Sequence, residues 1–173
     1  MARALSRPLL PALAATAALA VAGCGGGGDE KTYVKTYEGA CAKIVAATKE
    51  FQTSLSGLGA SVKSDPDKAV ATIKGSGDKL FTTFGDQLDV MAKADAPSKF
   101  SDFQDSVSDN ADKSREGIKK AKDALANIKT LQDFSKVGQS LDGIDVGGTK
   151  GLPKELGDQA PSCKTLGGSS TAS

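Results

Sequence analysis

Residues 100–128 carry apolar or small side chains at alternating spacings of three and four: Phe100, Phe103, Val107, Ala111, Ser114, Ile118, Ala121, Leu125 and Ile128. This regularity constrains the chain most, because it places one buried stripe along a long helix and requires other apolar faces to cover it. Two further stretches supply those faces. Val34, Tyr37, Cys41, Ile44, Thr48, Phe51, Leu55 and Leu58 form one stripe, and Val70, Ile73, Leu80, Phe84, Leu88 and Met91 form another. No segment of useful length alternates with the period of a strand, and no internal repeat is present.

Boundary signals divide these stripes into helices. The first is expected from Thr32, with Asp29 and Glu30 at its start, where acids suit the helix dipole, and Gly57, Gly59 and Ser61 at its end. Asp65 and Pro66 read as the cap and first position of the second. Gly75 and Gly77 are expected to bend or fray it between Lys74 and Asp78, a close helix crossing being the competing reason for two small residues. Ala96-Pro97 should end it, since a residue before proline is pushed away from the helical region. The third helix then starts at Pro97 or Ser98 and is expected to be the longest. Asp102, Asp105, Asp109 and Asp112 lie in its first half and Lys119, Lys120, Lys122 and Lys129 fill its second, as the dipole prefers. Thr130 with Asp133 resembles a capping pair ahead of a short fourth helix carrying Leu131, Phe134, Val137 and Leu141. Glycine-rich sequence follows, with one helical turn at 153–156. The pattern predicts an all-α fold: an up-and-down bundle of three long antiparallel helices plus a short fourth.

The N-terminus follows a different logic. Residues 1–7 hold Arg3 and Arg7 and no acid, and residues 8–21 are almost wholly Leu, Ala and Val. That is the layout of an export signal, too short and too interrupted by Pro8 and Pro11 to make a good membrane span. Val21-Ala22-Gly23-Cys24 at its end resembles a bacterial lipobox, whose cysteine is diacylated and becomes the new N-terminus. The resemblance implies lipidation at Cys24, a signal over 1–23, a lipid-anchored glycine-rich tether over 24–31, a bundle domain over 32–166 and a disordered tail over 167–173. Ala20-Val21-Ala22 also presents an ordinary secretory cleavage site, which remains the alternative. With Cys24 so assigned, the chain's three cysteines leave one pair, Cys41 and Cys163, expected to be oxidised outside the cytoplasm; two separate buried thiols are the other reading.

The composition narrows the chemistry. Removing Arg3 and Arg7 leaves 20 basic against 21 acidic residues, so nothing in the charge balance points to nucleic acid or to an anionic surface. The chain has no His and no Trp, which removes the commonest general base and transition-metal ligand. No cofactor or metal site is implied. Asp102, Asp105, Asp109, Asp112 and Glu116 form an acidic row on the third helix, about 200° from the stripe, and read as a solvated face. Tyr33 and Tyr37, one turn apart, are expected to cover an end of the bundle. Residues 143–150, Gly-Ile-Asp-Val-Gly-Gly-Thr-Lys, resemble the first phosphate-binding motif of sugar kinases of the actin and hexokinase superfamily. The strand before that motif and the hairpin after it are missing from the pattern, so the segment reads as a flexible connection. No serine stands in a G-x-S-x-G elbow.

The lipobox, Ala94-Asp95-Ala96-Pro97 between two helices, and the late Pro161-Ser162-Cys163 together resemble small helical lipoproteins of actinobacteria, a group that brings no assigned activity. The resemblance implies a protein on the extracytoplasmic face of the cell membrane, anchored through Cys24, that binds an envelope protein partner or a small ligand without catalysis. The rival expectation is an envelope enzyme or enzyme subunit working through clustered carboxylates, which would need raised pKa values inside a cleft.

Overall fold

The chain turns helical at Asp29, whose carboxylate accepts a hydrogen bond from the Thr32 N–H at 2.8 Å and so satisfies one of the free donors of the first turn. A computed structural model describes residues 27–59, 61–139 and 150–168. Helix α1 spans Glu30–Ser56, starting two residues ahead of Thr32, and a single turn, α2, spans Ser61–Ser64. Asp65 accepts from the Lys68 N–H at 3.0 Å, Pro66 takes the first position, and α3 runs Pro66–Ala92. A 3₁₀ turn at Ser98–Phe100 leads into α4, Ser101–Asn127. A second 3₁₀ turn, Leu131–Asp133, leads into α5, Phe134–Gln139. Helices α6, Lys154–Gln159, and α7, Pro161–Gly168, follow. Among the described residues there is no strand.

The all-α bundle expected from the stripes is present, and all nine stripe residues of 100–128 are buried, from Ser114 and Ala121 at 0 % to Ile118 at 6 % exposed. The third long helix is not the longest. Helices α1, α3 and α4 have 27 residues each, because a 3₁₀ turn takes the residues immediately before Ser101. Each is about 40 Å long at 1.5 Å per residue. Lys79 pairs with Glu50 and Lys122 with Asp78, while Gln104 reaches Met91. These contacts set α3 antiparallel to both neighbours.

Helix α3 packs closely on α1 and on α4, but among the described residues no Cα of α1 comes within 8 Å of one in α4. The wedge between α1 and α4 is filled differently at its two ends. At one end Tyr33, Tyr37, Phe100 and Phe103 meet Leu156 of α6, Ala160 between α6 and α7, and Cys163 of α7. At the other, α5 contributes Val137, with Phe134 packed against Phe51 at 6.3 Å between ring centroids.

Two expectations need correction. Helix α3 is continuous through Gly75 and Gly77, with no frayed turn between Lys74 and Asp78. The close crossing explains Gly77 alone: a Cβ there would lie 2.8 Å from Leu125 Cδ2, whereas one on Gly75 would meet nothing within 4 Å. The helix also stops at Ala92, short of Ala96-Pro97. Its last carbonyls find other donors, since Gln104 Nε2 donates to Met91 O at 3.0 Å and to Ala92 O at 3.1 Å, and Ser108 Oγ donates to Ala92 O at 3.0 Å. Side chains from α4 thus satisfy groups that any helix end leaves open.

The oxygen of the same Gln104 amide accepts from Tyr33 Oη at 2.9 Å and from Tyr37 Oη at 2.8 Å. Both tyrosines are 1 % exposed, so they belong to the interior of the bundle end that the sequence expects them only to cover. Burial pushes both phenols above the usual tyrosine range, Tyr37 most. A neutral group whose ionisation is raised on folding contributes stability that is complete below the unfolded value of about 10 and is lost as pH climbs beyond it. The chain has two tyrosines and no tryptophan, so tyrosinate absorbance reads this directly. Native protein should show no tyrosinate on stepping past about pH 10 until it unfolds, and the two signals should appear together with loss of helical circular dichroism. Tyrosinate developing in fully helical protein would mean that the network is open to solvent.

Candidate functional site

Of the residues marked by the sequence, Cys24 lies outside the described residues, and Cys41 and Cys163 are bonded to each other with their Cα atoms 5.0 Å apart. Cys41 lies on the buried stripe of α1 at 3 % exposure, facing Cys163 in α7 at 5 %. More than the disulfide holds this segment. Glu38 accepts from the Ser162 N–H at 2.9 Å and from Ser162 Oγ at 2.6 Å, at the start of α7. Lys99 ties Glu30 of α1 to Glu155 of α6. Where the sequence suggests one turn at 153–156, two helices stand, and α7 runs through Gly168, into the stretch assigned to the tail. Leu156 and Ala160, both 0 % exposed, make this segment part of the core.

The acidic row is a solvated face. Asp102, Asp105, Asp109, Asp112 and Glu116 are all exposed. Lys150 pairs with Asp102, Arg115 with Asp112 and Lys120 with Glu116. The Lys120 hydrogen bond holds Glu116 below the usual carboxylate range. The other carboxyls that leave that range, Asp29, Glu30, Asp133 and Asp158, also move down, each through hydrogen bonds to its charged form. Residues 143–149 of the kinase-like string lie outside the described residues, as does Leu141.

A partly enclosed apolar space lies at the α5 end. A cleft of about 340 Å³ is walled by Phe51 of α1, Gly77, Leu80 and Phe81 of α3, Leu125 of α4, and Phe134, Ser135, Val137 and Gly138 of α5. The sequence builds it in two steps. Asp133 Oδ2 accepts from the Lys129 N–H at 3.1 Å and the Thr130 N–H at 3.0 Å, so the capping pair expected from Thr130 and Asp133 reverses the chain and lays α5 across the bundle. Lys136 and these backbone donors hold the Asp133 carboxyl far below its ordinary value. Gly77 then lets Leu125 approach α3 closely and form the floor, since it has no Cβ to hold that side chain off. Phe81, 8 % exposed, was not placed on the stripe by sequence, although it follows Gly77 by four residues.

A second space, a polar groove of about 330 Å³ between α1 and α3, is lined by Lys43, Ala46, Ala47, Glu50, Lys79, Thr83, Asp86 and Gln87. Gln87 is 8 % exposed, and its Oε1 has no hydrogen-bond partner. Lys79 and Glu50 already neutralise each other across this groove. Among the described residues no three Cys, Asp or Glu side chains gather as metal ligands. No protein-family model matches this chain, and neither the curated proteins nor the solved structures yield a match.

The disulfide closes a loop across a separation of 122 residues, which in the chain-entropy model is worth about 5 kcal/mol. The double substitution Cys41→Ala with Cys163→Ala should therefore lower the unfolding free energy by several kcal/mol, read by urea titration. Hydrogen exchange should speed first in α6 and α7, which contact the long helices mainly through α1. Uniform loss of protection across all helices at the same rate would show that this segment has no separate dependence on the bond.

Proposed function

We propose that this protein is a lipid-anchored lipoprotein of the extracytoplasmic face of the cell membrane that works by binding, and that its ligand is a small apolar molecule held in the cleft between α1, α3, α4 and α5. The observation that carries the ligand assignment is the cleft itself, about 340 Å³ with no charged side chain on its walls. That volume stands at the small end of ligand pockets, enough for a single ring system or a short acyl chain. The anchoring half of the reading rests on Val21-Ala22-Gly23-Cys24 behind a charged leader. A buried disulfide fits an oxidising compartment. Among the described residues no helix is long and apolar enough to cross a membrane. The carboxylate-enzyme alternative has less support, because the acidic row is exposed and the displaced carboxyls move down, away from the range of a general acid.

Anchoring predicts that a fatty-acid analogue labels the wild-type chain and leaves Cys24→Ser unlabelled; equal label in both would remove Cys24 as the acylated residue. Ligand binding predicts that a naphthylamine fluorophore brightens and shifts to the blue on titration with the domain. A Cβ on Gly138 would meet nothing within 4 Å, so Gly138→Leu starts its side chain in open space at a residue that lines the cleft. It should weaken the fluorophore about tenfold or more while leaving the unfolding midpoint nearly unchanged, a difference of about 1.4 kcal/mol in binding. Equal binding by Gly138→Leu and wild type would place the fluorophore elsewhere and overturn the cleft assignment.

A further inference from the structure

Gly27 and Gly28 are not free spacer. The Gly28 N–H donates to the Ala96 carbonyl at 3.1 Å, and a Cβ built on Gly28 would sit 2.0 Å from the Asp95 carbonyl oxygen. A Cβ on Gly27 would lie 3.0 Å from the Ser98 nitrogen and 3.3 Å from the Ala96 oxygen. Two stretches of backbone are in direct contact here, an approach that only glycine permits. The next residues reinforce it: Asp29 caps α1, and Glu30 pairs with Lys99 of the same loop. The glycine run read from sequence as one flexible tether is therefore docked in its second half onto the α3–α4 loop, residues 95–99.

We infer that the bundle meets the membrane by one defined end, the α3–α4 loop with α6 beside it, and that the surface facing that end is lipid. This rests on the acylation of Cys24 proposed above. Only Gly25 and Gly26 separate Cys24 from the docked Gly27, and three Cα steps span at most about 11 Å. A fully flexible run up to residue 31 would have left the domain free to tumble; the docked glycines hold it within about 11 Å of the acylated residue. From there α1 leads away over 27 residues, about 40 Å, to the end that carries Phe51 and the apolar cleft. Among the described residues the exposed large hydrophobics are Val62 and Val90 alone, and the outer face of α4 begins with the acidic row. The cleft is thus presented to the space beyond the membrane surface.

The test uses the full acylated chain in phosphatidylcholine and phosphatidylglycerol vesicles that carry a headgroup-attached quencher. A fluorophore is placed on Lys154→Cys, in α6 at the docked end, or on Lys63→Cys, in α2 at the other. The Lys154→Cys label should be quenched several-fold more than the Lys63→Cys label. Inserting about ten Gly-Ser residues between Gly26 and Gly27 leaves the fold untouched and should make the two labels equal. Equal quenching in the natural-length chain that floats with vesicles would overturn the orientation alone. Failure of the natural chain to float, with an unacylated N-terminus by mass, would overturn the anchor and the orientation with it.

Discussion

The Gln104 amide is the contact on which the arrangement of the long helices turns. Helices α1 and α4 stand too far apart for backbone packing, and at this end their connection is made by side chains. Gln104 has one acceptor oxygen and two donor hydrogens, and all are used: Tyr33 and Tyr37 on the oxygen, the Met91 and Ala92 carbonyls on the nitrogen. This is satisfied only when three helices share one level, with the start of α1, the end of α3 and the start of α4 side by side. A slip of α1 by one turn would leave buried hydroxyls without acceptors, at about 1 to 3 kcal/mol for each such group. An apolar core of the same size tolerates such slips more readily, because its contacts are not directional. The network therefore sets the register, and the aromatic contacts around it, Tyr33 on Phe100 and Tyr37 on Phe103, fill the space that the register defines.

Much of this was legible in the sequence and some of it was not, for reasons specific to each residue. The stripe of α4 was readable because burial on a helix repeats with its geometry, and so were the cap at Asp65 and the Thr130–Asp133 pair, since such residues ahead of a stripe satisfy free N–H groups in a recognisable place. Asp29 was legible only as an acid suited to the helix dipole and not as the cap it is. Gln104 was not readable. It is a polar residue beside a stripe position, and nothing local distinguishes it from a surface glutamine; its partners are 67 and 71 residues away. Gly75 and Gly77 look alike in sequence, yet only Gly77 has Leu125 against it, a fact of tertiary packing. Helices α6 and α7 could have been found: Pro153 and Pro161 each precede or open a helix, and Leu156, Ala160 and Cys163 keep spacings of four and three. The surrounding glycines obscured that signal. The cleft lay beyond the sequence because its walls come from four helices.

The two ends of the bundle are built on opposite principles. The docked end combines a covalent bond, a saturated polar network, the Glu38 contacts to Ser162 and the Lys99 bridge. Among the described residues the α5 end has none of these. There the wedge is closed by apolar contact and by one capping pair, and its walls include a residue with no side chain. Gln87, between the two, keeps a buried oxygen without a donor, a local cost of the kind that a bundle can carry when other contacts are in surplus.

This asymmetry bears on which part of the molecule can respond to a ligand. A helix of six residues such as α5 has almost no stability of its own, since nucleation costs more than so few hydrogen bonds return. It stays in place because Val137, 2 % exposed, and the half-buried Phe134 pack onto the long helices, and because Asp133 fixes the turn before it. Opening α5 exposes little surface compared with separating α1 from α3, so in a hierarchy of local unfolding it precedes the global transition. Whatever fills the space between Phe51, Leu125 and Phe134 adds contacts to a short element held mainly by α4 and the turn before it. The free energy of filling it is therefore coupled to the retention of α5, while the docked end, fixed by its disulfide and by Gln104, contributes no residue to the walls of that space.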